Sequence, residues 1–525
     1  MAVDTWVFAA VTLVYLVAII GLGYLGYRQT KSDDDYMVAG RSVHPVILAL
    51  SYGATFISTS AIIGFGGVAA QLGMGLIWLT VLNIGLGILI AFVIFGKRTR
   101  KIGNALHAVT FPDLMGKCYG SPFMQHAAGL VIVIGMPLYT AAILIGGAQF
   151  ITSTLQIPYN TSLIAFAAIV ALYVVLGGLI AVMYTDALQG GIMFVGMLVL
   201  LVLTYVHLGG IVEANSALAA MSDLVPQSLA AGGMTGWASM PALGSPIWLT
   251  LVTTLVLGVG IGVLAQPQLV VRFMTVKDSR ALNRAVFVGG PFILIMTGVA
   301  FTVGALTNVY FYQTSGGIAL AAATGGNIDT IIPNFINASM PDLFIVIFML
   351  ALLAAAMSTL SSLFHTMGTS LGFDVARRKD NHRPSMRPIR VATVAMIVVS
   401  IVLALIMPGS IIARATAMFM GLCASAFLPT YAHALYSSKP SLRAAKMSLV
   451  GGTAAWFIWT AFVHIKESEA LGLSNLLFGV PAILSAPWQA VDPLVIALPF
   501  ATAALGVGWA LDHHQVPAEK AVEAA

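Results

Sequence analysis

Residues 51–76 read Ser51-Tyr-Gly-Ala-Thr-Phe-Ile-Ser-Thr-Ser-Ala-Ile-Ile-Gly-Phe-Gly-Gly-Val-Ala-Ala-Gln-Leu-Gly-Met-Gly-Leu76. The stretch is apolar and long enough to cross a bilayer, yet a Thr-Phe-Ile-Ser-Thr-Ser core and a Gly-Phe-Gly-Gly break interrupt it midway. A plain membrane anchor has no use for either. Backbone groups freed inside lipid cost several kcal/mol each unless something polar meets them. The break therefore implies an ion and a solute held within the membrane. The alternative is a face of small residues that lets helices pack closely.

The composition places that stretch in context. The chain has 525 residues, of which 59% are hydrophobic and 8% charged, with a mean hydropathy of +0.96. A water-facing surface would run short of charge, so the chain is a polytopic membrane protein. Its net charge of +5 is read by position, not as a nucleic-acid patch. Cys118 and Cys423 are the two cysteines, one in a basic loop and one in an apolar segment, and no disulfide is expected. Met1 to Thr5 carries Asp4 and no basic residue, and the apolar run from Trp6 to Leu25 reads as a first membrane helix, not a cleaved signal.

Hydropathy predicts about 13 transmembrane helices, roughly at 6–27, 46–70, 76–96, 124–152, 159–180, 186–208, 247–270, 285–313, 342–373, 389–408, 410–436, 447–465 and 491–511. With the N-terminus outside, 22 of the 24 Lys and Arg fall in inner loops or the tail, and only Arg414 and Lys466 lie elsewhere. That bias predicts an outer N-terminus and a cytoplasmic C-terminus in a plasma membrane. The outer loops 209–246 and 313–341 suit short helices or lids. The expected division is a first helix and basic loop (1–45), a first repeat (46–208), an outer loop (209–246), a second repeat (247–436), and two last helices with a short tail (437–525).

The seventh span supplies the internal symmetry. It carries Gly258, Gly260, Gly262 and Pro267, and it lies five spans after the first break, so the two run in opposite directions. Paired interrupted spans in two inverted halves mark a secondary transporter with its site near the midplane.

Two further patterns carry chemistry. Ser358, Ser361 and Ser362 share a helix face in the ninth span, with Thr359 beside them. Sodium wants oxygen ligands, and hydroxyls with freed carbonyls supply them. The plainer reading is hydrogen bonding to the helix's own carbonyls. Asp186 begins the sixth span after Tyr184-Thr185, where it caps a helix, meets a cation, or does both. Arg414 reads as a snorkelling interfacial residue, and His365 and His433 as packed histidines.

Three stretches together, Ser32-Asp-Asp-Asp-Tyr36-Met-Val-Ala-Gly40-Arg41-Ser42, Gly177-Gly178 to Gln189, and Ala354 to Ser362, resemble the sodium/solute symporter family. The resemblance implies an all-α core of the leucine-transporter type, an inverted five-plus-five repeat with one helix before it and two after. It places the family's main sodium site on Ala54, Ile57, Ala355, Ser358 and Thr359. A second sodium site found in some members matches Asp186, Ser358, Ser361 and Ser362, so one or two Na+ ions are expected.

For the solute, the broken-helix run with Ile157-Pro158-Tyr159 and Val276-Lys277-Asp278-Ser279 looks most like the pantothenate and monocarboxylate branch. The proline branch has an aspartate where this chain has Phe56. Unpaired amides after the break, with Ser58 and Ser60, suit a carboxylate. Gln266 matches a substrate position of the family, and Trp78 and Thr80 are candidates for the same cavity. The expectation is a sodium-coupled symporter for a small organic solute in a lipid bilayer, not an enzyme, with no nucleic acid and no obligate protein partner. The rivals are an amino-acid symporter of the proline type and a proton-coupled carrier.

Overall fold

A computed structural model of the chain describes residues 5–82, 87–376, 386–408 and 410–513. All regular structure among them is helical. Ten of these helices are long and apolar enough to cross a membrane, or eleven if the sharply bent pair Leu442–Phe462 and Ile465–Leu471 counts as one span. The thirteen expected spans are thus not all met as separate long helices, and the reasons are local. The second span is broken, leaving Pro45–Phe56 as a short first half. The fifth and sixth are joined as Tyr159–His207 with a kink at Gly178. Part of the third, residues 83–86, lies outside the described residues, as do much of the inner loop 377–385 and the tail from 514.

The kink corrects one sequence expectation. Gly178 adopts φ 62°, a left-handed conformation open mainly to glycine. A Cβ there would also stand 2.6 Å from a ring carbon of Tyr36. Gly178 therefore makes the turn, and Asp186 is not a helix cap. It lies about two turns inside the following helix. Tyr36 lies within a short helix, Asp33–Val38, capped reciprocally by Ser32 and Asp35, and its ring packs 5.5 Å from that of His365. His433 accepts the Ser441 amide at 3.0 Å. Arg414 does not snorkel freely: its guanidinium pairs with Glu467 at 3.0 Å, tying the late helices to Ile412–Tyr436.

Both interrupted spans are broken, the first within the Thr55–Ser60 run and not at Gly-Phe-Gly-Gly, which is helical from Phe65. Helix Pro45–Phe56 ends at Ile57, whose ψ of 99° is extended. The chain resumes in a wide turn over Ser60–Gly64 and continues as Phe65–Leu72. In the seventh span Gln266 has ψ 119°, and Pro267 opens a half-helix to Phe273. Proline suits that first position, where its missing N–H has no partner to lose.

The long loops fold back over the far end of the helix that follows the first break. Trp237, fully buried, donates its indole N–H to Ala70 O at 2.9 Å, and Asn308 donates to the same carbonyl at 2.8 Å. Gly67 lies so near Ile328 that a Cβ would stand 2.4 Å from its carbonyl oxygen. Asn327 Oδ1 accepts the Ser410 amide at 2.9 Å, closing a roof between residues 318–339 and helix Ile412–Tyr436.

Asp329 gives that roof a pH dependence. Burial pushes its carboxyl up to about 7, against the pull of the amides of Ile412, Ile411 and Ser410. A carboxyl raised on folding contributes stability that is fully present at low pH and lost as pH rises through the folded value. Hydrogen exchange of residues 318–339, corrected for intrinsic rate, is expected to accelerate between about pH 4 and 7 and to level off above. Asp329→Asn removes that rise; a rise that persists in the variant refutes the assignment.

Candidate functional site

The first break and the ninth span meet as the sequence predicts. Helix Asp342–Thr369 lays its hydroxyl face on Pro45–Phe56. Ser358 Oγ donates to Ala54 O at 2.9 Å and lies 3.1 Å from Ala355 O. Thr359 Oγ1 donates to Thr55 O at 3.0 Å. Ala54, Ile57, Ala355, Ser358 and Thr359 are all fully buried. Three oxygens from two helices therefore lie within about one hydrogen bond of one another beside an unwound turn, the donor set a hard monovalent cation takes. Two of the three are carbonyls with lone pairs to spare.

The second set is also assembled, with an occupant the sequence did not foresee. Asp186 Oδ1 accepts Ser361 Oγ at 3.2 Å, while Oδ2 accepts Ser51 at 2.9 Å and Thr55 at 3.1 Å and lies 3.5 Å from Ser362 Oγ. Arg272 Nη2 lies 2.8 Å from the same Oδ2. The pair is 1% and 0% exposed. Arg272 thus leaves the inner loop to which its charge assigned it and lies inside the protein. Ser358 does not touch Asp186 by side chain; its carbonyl instead accepts Ser361 at 2.9 Å and Ser362 at 3.1 Å.

Next to the break is a small cavity of roughly 20 Å³, room for about one water. Ser58, Tyr139, Thr297 and Thr416 line it with hydroxyls, and Phe56, Phe65 and Phe301 with rings. Ser58 is the solute candidate that reaches it. Ser60 is adjacent, bonded to Thr416 Oγ1 at 2.8 Å. Leu79 lines the cavity, whereas its neighbours Trp78 and Thr80 do not: Trp78 is 54% exposed, and Thr80 is buried. Gln266, buried at the second break, accepts Gln268 Nε2 at 2.8 Å and stands outside the cavity lining.

The expectation of unpaired amides at this turn does not hold for three of them: Ser60 N–H donates to Ser58 Oγ at 3.2 Å, and the Ala61 and Ile62 amides donate to Ser58 O at 3.0 and 3.3 Å. Ser51 and Thr55, missed by sequence reading, carry a signal in hindsight, since their i, i+4 spacing puts two hydroxyls on one face just before the break.

Several known proteins are similar to this chain. The model of the sodium:solute symporter family matches residues 36–452. The chain is 25% identical over 453 residues to the osmoregulated proline transporter OpuE of Bacillus subtilis, covering 85% of this chain and 87% of that one. It is 27% identical over 355 residues to a sodium/pantothenate symporter of Haemophilus influenzae, covering 67% and 68% of the two. Among solved structures, a sodium-coupled sialic acid symporter in a substrate-bound, outward-open state matches with TM-score 0.71 and 16% identity, over 95% of this chain and 98% of the other. That likeness is one of fold, and the fold is the leucine-transporter type expected from the sequence.

Proposed function

The chain belongs to the sodium:solute symporter family, and from that premise we propose that it imports a small organic carboxylate with sodium by alternating access. As a multi-span transporter it works in the plasma membrane, and in our reading its N-terminus is outside and its C-terminus cytoplasmic. The observation that carries the reading is the junction of Ser358 with Ala54 O and Ala355 O beside the unwound turn. Sodium held there joins two helices that separate when the inner side opens. Because a ligand shifts only an equilibrium whose states it binds differently, sodium favours the outward-facing arrangement.

With room for about one water the cavity holds no solute as it stands, and we read it as the closed form of a site whose lining suits a pantothenate- or short monocarboxylate-like solute. Ser58, Tyr139, Thr297 and Thr416 offer hydroxyl donors to a carboxylate, while the rings and Met420 take an apolar body. No Asp or Glu is among its lining residues, so the ammonium of an amino acid would lack a charged partner there. The proline-transporter relatives keep an amino-acid solute as the second reading. Inward movement of one charge through 100 mV supplies about 2.3 kcal/mol, and a tenfold sodium gradient adds about 1.4. One sodium would thus support roughly 500-fold accumulation of a zwitterionic solute, whereas a carboxylate cancels the charge of the sodium and is accumulated about tenfold, by the gradient alone.

The test is uptake into proteoliposomes of radiolabelled carboxylates and amino acids, with sodium or choline outside. Accumulation of a carboxylate driven only by the sodium gradient is expected. Uptake indifferent to the swap of sodium for choline overturns the coupling, and uptake of proline but no carboxylate overturns the solute class.

A further inference from the structure

Arg272 stands on the inner half of the interrupted seventh span, six residues past Gln266, and its guanidinium gathers four helices. Nη2 donates to Asp186 Oδ2 at 2.8 Å on the sixth span, to Thr55 Oγ1 at 2.6 Å on the second, and to Ser362 Oγ at 2.6 Å on the ninth. Nε donates to Ser51 Oγ at 3.1 Å, and Nη1 to Gln268 O of its own half-helix at 2.7 Å.

We propose that Arg272 is the resident cation of the Asp186 set, so that sodium and Arg272 exclude each other there and this chain couples one sodium, not two, to each solute. The inference rests on the reading of the chain as a sodium symporter.

The hydroxyl chemistry carries the first part of the argument. A hydroxyl has one proton and two lone pairs. Ser51 and Thr55 each give the proton to Asp186 and accept an N–H of Arg272. Ser362 likewise accepts from Arg272 and donates to Ser358 O. One of the two lone pairs on each hydroxyl is thus given to the guanidinium, which leaves fewer for a metal ion.

Charge carries the second part. A buried carboxylate needs one positive partner, and Arg272 already makes the pair neutral. A sodium ion beside both would meet a like charge at about 4 Å, which weakens its binding on the order of a thousandfold at an effective dielectric of 20. The set thus takes sodium only when the half-helix Pro267–Phe273 withdraws. Arg272 therefore acts as a positioning residue that ties the placement of the half-helix Pro267–Phe273 to the charge carried.

The experiment counts ions on the whole purified protein by 22Na+ binding in scintillation-proximity format. The wild type is expected to bind one sodium, Arg272→Gln two, Arg272→Lys one, and the Asp186→Asn/Arg272→Gln double variant one. Proteoliposome flux repeats the count, with sodium-to-solute ratios of about one for the wild type and about two for Arg272→Gln. Two sodium ions on the wild type overturn the proposal without any variant having to fold. A folded Arg272→Gln protein that still binds one overturns it as well. Failure of the underlying reading looks different: no sodium bound to wild type and variant alike.

Discussion

Asp186→Ala is expected to be among the most damaging single substitutions in this chain, because it strands the Arg272 guanidinium in the interior. The two charges are almost completely buried, 2.8 Å apart, and removal of one partner from such a pair typically costs about 3–5 kcal/mol. The loss comes less from the missing attraction than from the uncompensated charge left behind. Three hydroxyls that Arg272 also uses, on Ser51, Thr55 and Ser362, cannot neutralise it. Asp186→Ala should therefore lower the yield of monodisperse protein and its melting temperature in detergent. Asp186→Ala combined with Arg272→Met, which removes both charges, should recover most of the loss. A single variant that melts with the wild type would mean that water reaches the pair and that the buried network is not what holds these four helices together.

Ser358→Ala should have the second largest effect, and a different kind. Its hydroxyl joins Ala54 O to Ala355 O across two helices, so its loss removes one ligand oxygen and leaves the carbonyls facing a methyl group. Contacts to charged groups contribute about 1.5–3 kcal/mol each, which converts to roughly a 10- to 150-fold rise in the sodium concentration for half-maximal uptake. Solute affinity at saturating sodium should change little, because the cavity lining does not include Ser358. Uptake measured against sodium concentration at fixed solute checks this. An unchanged sodium curve removes Ser358 from the ion site.

How far the sequence reaches can be seen residue by residue. That the second and seventh spans are interrupted, the latter at Pro267, was legible, because a broken apolar run is a local pattern that lipid makes conspicuous, whereas the meeting of Ser358 with Ala54 was expected from the family resemblance. Arg272 was not. Counting basic residues by loop assumes that a charge lies at a membrane face, and only the folded chain brings Arg272 to a carboxylate 86 positions away. Asp186 was misplaced for a similar reason: Thr185-Asp186 looks like a helix start, but Gly178, shaped by contact with Tyr36, had already made the turn. On the third span the face that meets the small cavity is one position from the candidates named in the sequence. Leu79, not Trp78 or Thr80, meets the cavity, since one residue of slip turns a helix by about 100°.

The roof over the first break and the knot at Arg272 are made of different materials. The roof hangs on neutral hydrogen bonds from Trp237, Asn308 and Asn327, and no ion pair among the described residues crosses it. The floor is riveted by a guanidinium and a carboxylate. Lifting the one exchanges dipoles for water, whereas prising up the other pulls opposite charges apart. In the proposed transport cycle the roofed end would therefore open at less cost than the end held by the ion pair.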